Sequence, residues 1–288
     1  MKPPAFKYED PHSLEEALAV LGADADDVSV LSGGQSLMPL LNMRLARPEI
    51  LLDINRVPGL DGLHVSDSLV EVGSLVRART LERDPKVRNV LPVIASALGH
   101  VGHPQIRTRT TVGGNIAHAD PSSELPGVLA LLDGDVVLTS ATRGSRTVGW
   151  DEFFVSVFTT ARASDELVTG VRFPTCRGWH TSFVEFAPRH GDFPIVALAL
   201  GTRVQDEVLI GLRIAVTGVS DRVRRLSRTE AAADADMARP DLVAEVVASA
   251  RSEVDPTDDS SGSSDYRRHL LGVLLERQLA IHLQAPID

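Results

Sequence analysis

The sequence predicts an α+β protein in two parts, and three observations carry the prediction. Residues 28–54 run strand, Gly-Gly turn, helix, strand, which is one α/β unit. Beyond Pro174, three β-rich runs follow one another across short turns, the pattern of an antiparallel meander. Stretches at helical spacing then fill most of the remainder. The boundary falls near residue 176. Residues 1–176 form the first part, in two α/β subdomains of about 1–56 and 57–176. Residues 177–288 form the second, a three-stranded antiparallel sheet with helices.

Ser13-Leu14-Glu15-Glu16 is a capping box, and Leu14, Ala17, Leu18 and Leu21 follow at helical spacing. Residues 28–31 form a short β-rich run that stops at Gly33-Gly34. A helix is expected over 36–47, with Pro39 in its first turn, where a missing N–H costs little. Pro48 ends it, and 50–54 is the next strand. A strand at 69–73 precedes helices near 77–83 and 89–98. The stretch 99–112 reads as irregular and leads into Gly113-Gly114. A helix near 123–132 and strands at 136–139 and 166–173 complete the first part. In the second part, runs at 180–186, 195–204 and 208–219 give the meander. Helices are expected near 229–236, 240–250 and 265–282, and the polar stretch 255–264 is a loop. Leu270, Leu271, Leu274, Leu275 and Leu279 mark the packing face of the last helix.

The 288 residues are 43% hydrophobic and 24% charged, enough for two ordinary cores, and 22 glycines with 17 prolines demand many turns. A net charge of −10 offers no positive field to a nucleic acid, which is excluded as a partner. The basic cluster Arg222, Arg224 and Arg225 reads as a solvated turn, as do the acidic pairs Asp26-Asp27 and Asp258-Asp259. Cys176 is the only cysteine, so the chain holds no internal disulfide and no four-cysteine zinc or iron–sulfur site. It reads as a partly buried loop thiol. No apolar run approaches the ~20 residues that span a bilayer, and the start lacks the apolar core of a secretory signal. The expected location is the cytoplasm.

Two glycine pairs carry the chemistry: Ser32-Gly33-Gly34-Gln35-Ser36-Leu37 and Thr111-Val112-Gly113-Gly114-Asn115. Without a Cβ the backbone can approach a ligand and turn its N–H groups toward phosphate, so a side chain at Gly34 or Gly114 would occupy the ligand's space. A diphosphate needs several such donors, which two converging loops would supply. Neither a G-x-G-x-x-G after the first strand nor a G-x-x-x-x-G-K-[ST] is present, so this is neither a Rossmann site nor a P-loop. No G-x-S-x-G occurs, which removes the nucleophile elbow of a hydrolase.

The wording around the pairs goes further. Residues 31–48, closing in Leu51-Leu52-Asp53-Ile54, resemble the first FAD-binding loop of the medium subunit of the carbon monoxide dehydrogenase and xanthine dehydrogenase family, the molybdenum hydroxylases. Residues 102–121 are similar to the second loop. Asp165 to Val168 with Val171 to Pro174 look like the strand that closes the flavin domain. Arg189-His190-Gly191-Asp192-Phe193 looks like the family's R-x-G-D-F/Y turn, and Tyr266 to Leu270 resemble the start of its C-terminal helix. The likeness runs from about residue 3 to 283.

The resemblance implies an FAD-binding PCMH-type domain followed by a CO-dehydrogenase-flavoprotein-like domain. It implies that Ser32 to Leu37 and Thr111, Gly113, Gly114 and Asn115 hold the FAD diphosphate, with Ala119 beside them. Glu124 would contact the adenosine portion and Val168 the adenine or flavin. Val101, Gly102 and Ile106 would line the isoalloxazine, with Asp192 and Phe193 at its reactive face. Two partners are implied, a small subunit with two [2Fe–2S] clusters and a large molybdopterin subunit, in a dimer of heterotrimers. The chain would relay electrons through FAD to quinone, oxygen or a nicotinamide, with no catalytic base of its own. His100, His103 and His118, near Asp120, are read as loop histidines bonded to backbone or flavin, not as metal ligands. Thr108, Thr110, Pro188 and Pro194 depart from the family's wording, on the acceptor side of the flavin and not in the phosphate loops. The competing readings are a free-standing FAD-dependent oxidase or dehydrogenase and a non-catalytic nucleotide-binding module.

Overall fold

The computed structural model describes residues 2–23, 27–206, 208–233, 236–237 and 240–284, so Asp26 and part of the helix expected near 229–236 lie outside it. In the first unit, the strands Lys7–Glu9 and Val28–Leu31 flank Ile50–Asp53 in a parallel sheet. Parallel neighbours need crossovers, and the helices Leu14–Ala23 and Leu37–Asn42 supply them. The first is capped reciprocally: Ser13 Oγ accepts from the Glu16 amide at 3.1 Å, and Glu16 Oε2 from the His12 amide at 2.8 Å. The second is shorter than the expected 36–47. Arg44 takes a left-handed φ of 59°, its amide bonds Leu41 O, and the Leu45 amide returns to Leu40 O. That is a Schellman ending built on a residue other than glycine, which sequence patterning does not flag.

The second unit is a five-stranded antiparallel sheet in the order Leu63–Val65, Leu69–Gly73, Glu166–Pro174, Asp135–Ser140, Gly144–Gly149. The outer strands were not expected: Gly144–Gly149 is exposed at four of its six positions and so lacks apolar alternation. Pro92 splits the helix expected at 89–98. One helix, Pro85–Val90, is capped by Asp84, whose carboxylate accepts from the Lys86 and Val87 amides, and a second, Pro92–His100, starts on the proline. The stretch 99–112 holds a helical turn, Pro104–Arg107. Gly113 and Gly114 lie inside the first turn of the helix Val112–His118 and not in a reversal before it.

The third unit is the meander His180–Phe186, Val196–Gln205, Val208–Thr217, extended beyond the expected three strands by two-residue edges at Arg224–Arg225 and Asp236–Met237. Helices Ser227–Ala233, Pro240–Glu253 and Ser264–Gln284 follow. Along the central strand, Val196, Leu198 and Leu200 enter one core with the last helix, while Ala197 and Ala199 enter the core of the second unit. The alanine face lets the helix Glu124–Leu131 approach closely, and all eight residues of that helix are buried. Asp259 is a half-exposed loop residue as expected, and it also accepts from the buried Arg267 at 2.6 Å, while Arg267 holds Ile195 O and Gly218 O. Of the arginine cluster, Arg224 is exposed as expected, but Arg225 bonds Glu230 and Asp133, and Arg222 bonds Phe154 O and Val155 O.

Candidate functional site

The two glycine segments touch. Ser32 Oγ lies 3.0 Å from Thr111 Oγ1, 79 positions away. A polar brace fixes the same gap: Asn55 Nδ2 donates to Ser32 O at 2.8 Å, and Arg77 Nη2 donates to Asn55 Oδ1 at 2.7 Å. Arg77 Nη1 then donates to Arg109 O at 2.8 Å. Burial, then the neighbouring Arg109 charge, lowers the Arg77 pKa. Neither Asn55 nor Arg77 belongs to a motif, so sequence reading missed them.

The loops differ in what they offer. The amides of Gly33, Gly34, Gln35, Ser36 and Leu37 find no acceptor among the described residues. Five consecutive free N–H groups beside a helix start form an anion cradle. In the second loop the amides are engaged: Gly113 donates to Ser74 O, Gly114 to Thr111 Oγ1 and Asn115 to Thr111 O. Thr111 is therefore the N-cap of its helix. The glycines also have a reason beyond ligand access. A Cβ at Gly33 would strike Arg109 O, one at Gly113 would strike Ser74, and one at Gly114 would lie 2.7 Å from Ser32 Oγ. They let two chain segments meet, and Gly34 adds a φ of +73°.

Beyond the loops, Ser123 Oγ donates to Asn115 Oδ1 at 3.0 Å. Glu124, the first residue of its helix, is 3% exposed, and burial pushes its carboxyl up to about 8. Ala119 closes the glycine helix in the left-handed region, and His118 stacks on Phe158. Val168 is buried in the core of the second unit.

The turn at 101–106 is shaped by Arg107, which is 6% exposed and donates to Val101 O, Gly102 O and Glu82. Ile106 is partly exposed beside it. Gly191 lies against His103, so the Arg189-to-Phe193 turn rests on the 102–103 turn, with Asp192 and Phe193 exposed. The three histidines separate, His100 toward Glu185, His103 toward Gly191 and His118 onto Phe158.

Comparison with known proteins follows this geometry. Residues 4–176 match the family described as the FAD binding domain in molybdopterin dehydrogenase, and residues 181–281 match the CO dehydrogenase flavoprotein C-terminal domain. The chain belongs to the FAD-binding medium subunits of the molybdenum hydroxylases. This medium subunit is 37% identical to the caffeine dehydrogenase subunit beta of Pseudomonas sp. (strain CBB1), over 97% of this chain and 95% of that one. It is 36% identical to the nicotine 6-hydroxylase medium subunit of Paenarthrobacter nicotinovorans, over 97% and 98%. A solved carbon monoxide dehydrogenase from Hydrogenophaga pseudoflava superposes with a TM-score of 0.94 at 32% identity, covering 98% of each chain. The medium subunit is thus an oxidoreductase component with FAD as its cofactor. Its relatives are subunits of multi-subunit dehydrogenases, and no helix among the described residues is long and apolar enough to cross a membrane.

Proposed function

We propose that this medium subunit is the electron relay of a multi-subunit molybdenum hydroxylase in the cytoplasm, built as a dimer of heterotrimers. A small subunit would supply electrons from [2Fe–2S] clusters, and a large molybdopterin subunit would oxidise the organic substrate. The observation that carries the reading is the row of five unpartnered amides at Gly33 to Leu37, pinned within hydrogen-bond reach of the second glycine loop. Such a row fits a diphosphate, whose charge replaces the missing acceptors.

In this reading the amides of Gly33 to Leu37 hold the diphosphate, and the Ser32 and Thr111 hydroxyls and the Asn115 side chain flank it. Bound FAD supplies the exchange between single-electron and paired-electron transfer. The chain orients it: Val101, Gly102 and Ile106 form a wall fixed by Arg107, and the exposed turn with Asp192 and Phe193 faces the external acceptor, whether quinone, oxygen or a nicotinamide. One cysteine in 288 residues cannot ligate a cluster, so electrons must enter from another chain.

The test is reduction of the bound flavin, followed by its absorbance. Bleaching by the organic substrate is expected only when the iron–sulfur and molybdopterin chains are present. Bleaching and turnover by this chain alone would overturn the relay in favour of a free-standing flavoprotein oxidase.

A further inference from the structure

Between the second unit and the C-terminal sheet lies a group of ionisable side chains that the relay reading does not use. His100, the last residue of the helix Pro92–His100, places Nδ1 3.2 Å from Glu185 Oε1 on the strand His180–Phe186. The Glu185 side chain is only 4% exposed, and its other oxygen, Oε2, has no hydrogen-bond partner among the described residues. Glu124 is close enough to interact with both, and it is itself buried. Arg107 and Asp120 act on the same groups from the adjoining turns. The rings of Phe183 and His190 pack on His100 at 5.6 and 6.1 Å. His190 belongs to the turn that rests on the 102–103 wall, so the cluster adjoins the expected flavin face.

A buried carboxylate oxygen without a donor costs about 1–3 kcal/mol or more. Such an atom is completed by a group from outside the chain, a water, an ion or a ligand. The cluster's inventory is specific. Glu185 Oε2 can only accept while ionised, and Glu124, held protonated by burial, can donate. The pyrimidine edge of an isoalloxazine presents one N–H between two carbonyl oxygens, which matches an acceptor beside a donor. Adenine also carries a donor beside an acceptor, at N6 and N1, so the pyrimidine edge is chosen by place: the cluster packs against the turn that rests on the 102–103 wall.

We propose that Glu185 Oε2 is the acceptor for the pyrimidine N–H of the bound flavin, with His100 positioning the carboxylate and Glu124 donating to a neighbouring flavin carbonyl in place of the adenosine contact that the resemblance implies. The proposal rests on the FAD reading above and deepens it. It gives Glu185 a ligand role that no motif assigns, and it places a negative charge beside the ring that becomes electron-rich on reduction.

The test uses the full chain in the assembly in which it purifies, stripped of flavin and titrated with FAD or with FAD methylated at the pyrimidine nitrogen. The wild type is expected to bind the methylated flavin at least about tenfold more weakly, the size of a lost charge-assisted hydrogen bond. In Glu185→Ala that preference falls to within about twofold. Should Glu185→Ala not fold, Glu185→Gln keeps the shape and one acceptor oxygen, with the amide nitrogen donating to an unprotonated Nδ1 of His100. Discrimination is then retained, and the flavin midpoint potential becomes more positive because a charge is gone. Equal wild-type affinity for the two flavins overturns the role of Glu185 while FAD binding stands. Failure of the wild type to bind either flavin overturns the FAD site as well.

Discussion

Glu124 has two properties that conflict unless it is protonated: it opens a helix and it is nine-tenths buried or more. Burial disfavours the anion, so the folded carboxyl titrates near 8 against an ordinary value of 4.5. The folded state therefore binds more protons than the unfolded state between those values, and its stability falls as pH rises. The contribution is complete below 4.5 and lost as pH passes through about 8. Glu124→Gln is expected to remove this slope, up to about 1.4 kcal/mol per pH unit. Denaturant unfolding at a series of pH values measures it, and an unchanged slope would refute the assignment. The place of Glu124 near a helix start was visible in the sequence, in the helix near 123–132 that follows the second loop. Glu185 was not: its neighbours in sequence are ordinary strand residues, and only the fold brings it to His100, 85 positions away.

At the scale of elements, the gap between the glycine loops is set by residues outside them. Arg77 reaches Asn55 and Arg109 O, and Asn55 reaches Ser32 O, so one guanidinium and one amide tie both loops to the helix start at Ala78. Arg77→Met removes two hydrogen bonds while keeping the stem, and it should weaken FAD affinity about tenfold. Fluorescence titration would read this, with melting temperature as the control for folding. Unaltered affinity would show that the brace does not position the loops. The glycine pairs were legible because they are local signals. The brace was not, because its three hydrogen bonds span 22, 23 and 32 positions and involve residue types common on any surface. The same logic explains the helix at Leu37–Asn42: its apolar spacing was readable, but Arg44 in a left-handed ending is a tertiary choice.

For the molecule as a whole, the sequence conveyed the division into α/β units and meander, since buried strands and amphipathic helices announce themselves by period. It hid the exposed edge strands and the way the parts join. The joint is the strand Val196–Gln205, whose alternate residues belong to different cores. A fragment ending at residue 176 would strip the meander from the face of the buried helix that carries Gly127 and Leu131, which lie against Thr217 and Gly201. It is expected to lose cooperative melting by circular dichroism. A fragment melting sharply at the temperature of the full chain would contradict this. The period of two in that strand has a consequence for inheritance as well as for heat. Neither half of the chain could be exchanged for a foreign one without re-cutting the alanine steps on which the other half rests, so the flavin half and the meander half must change together.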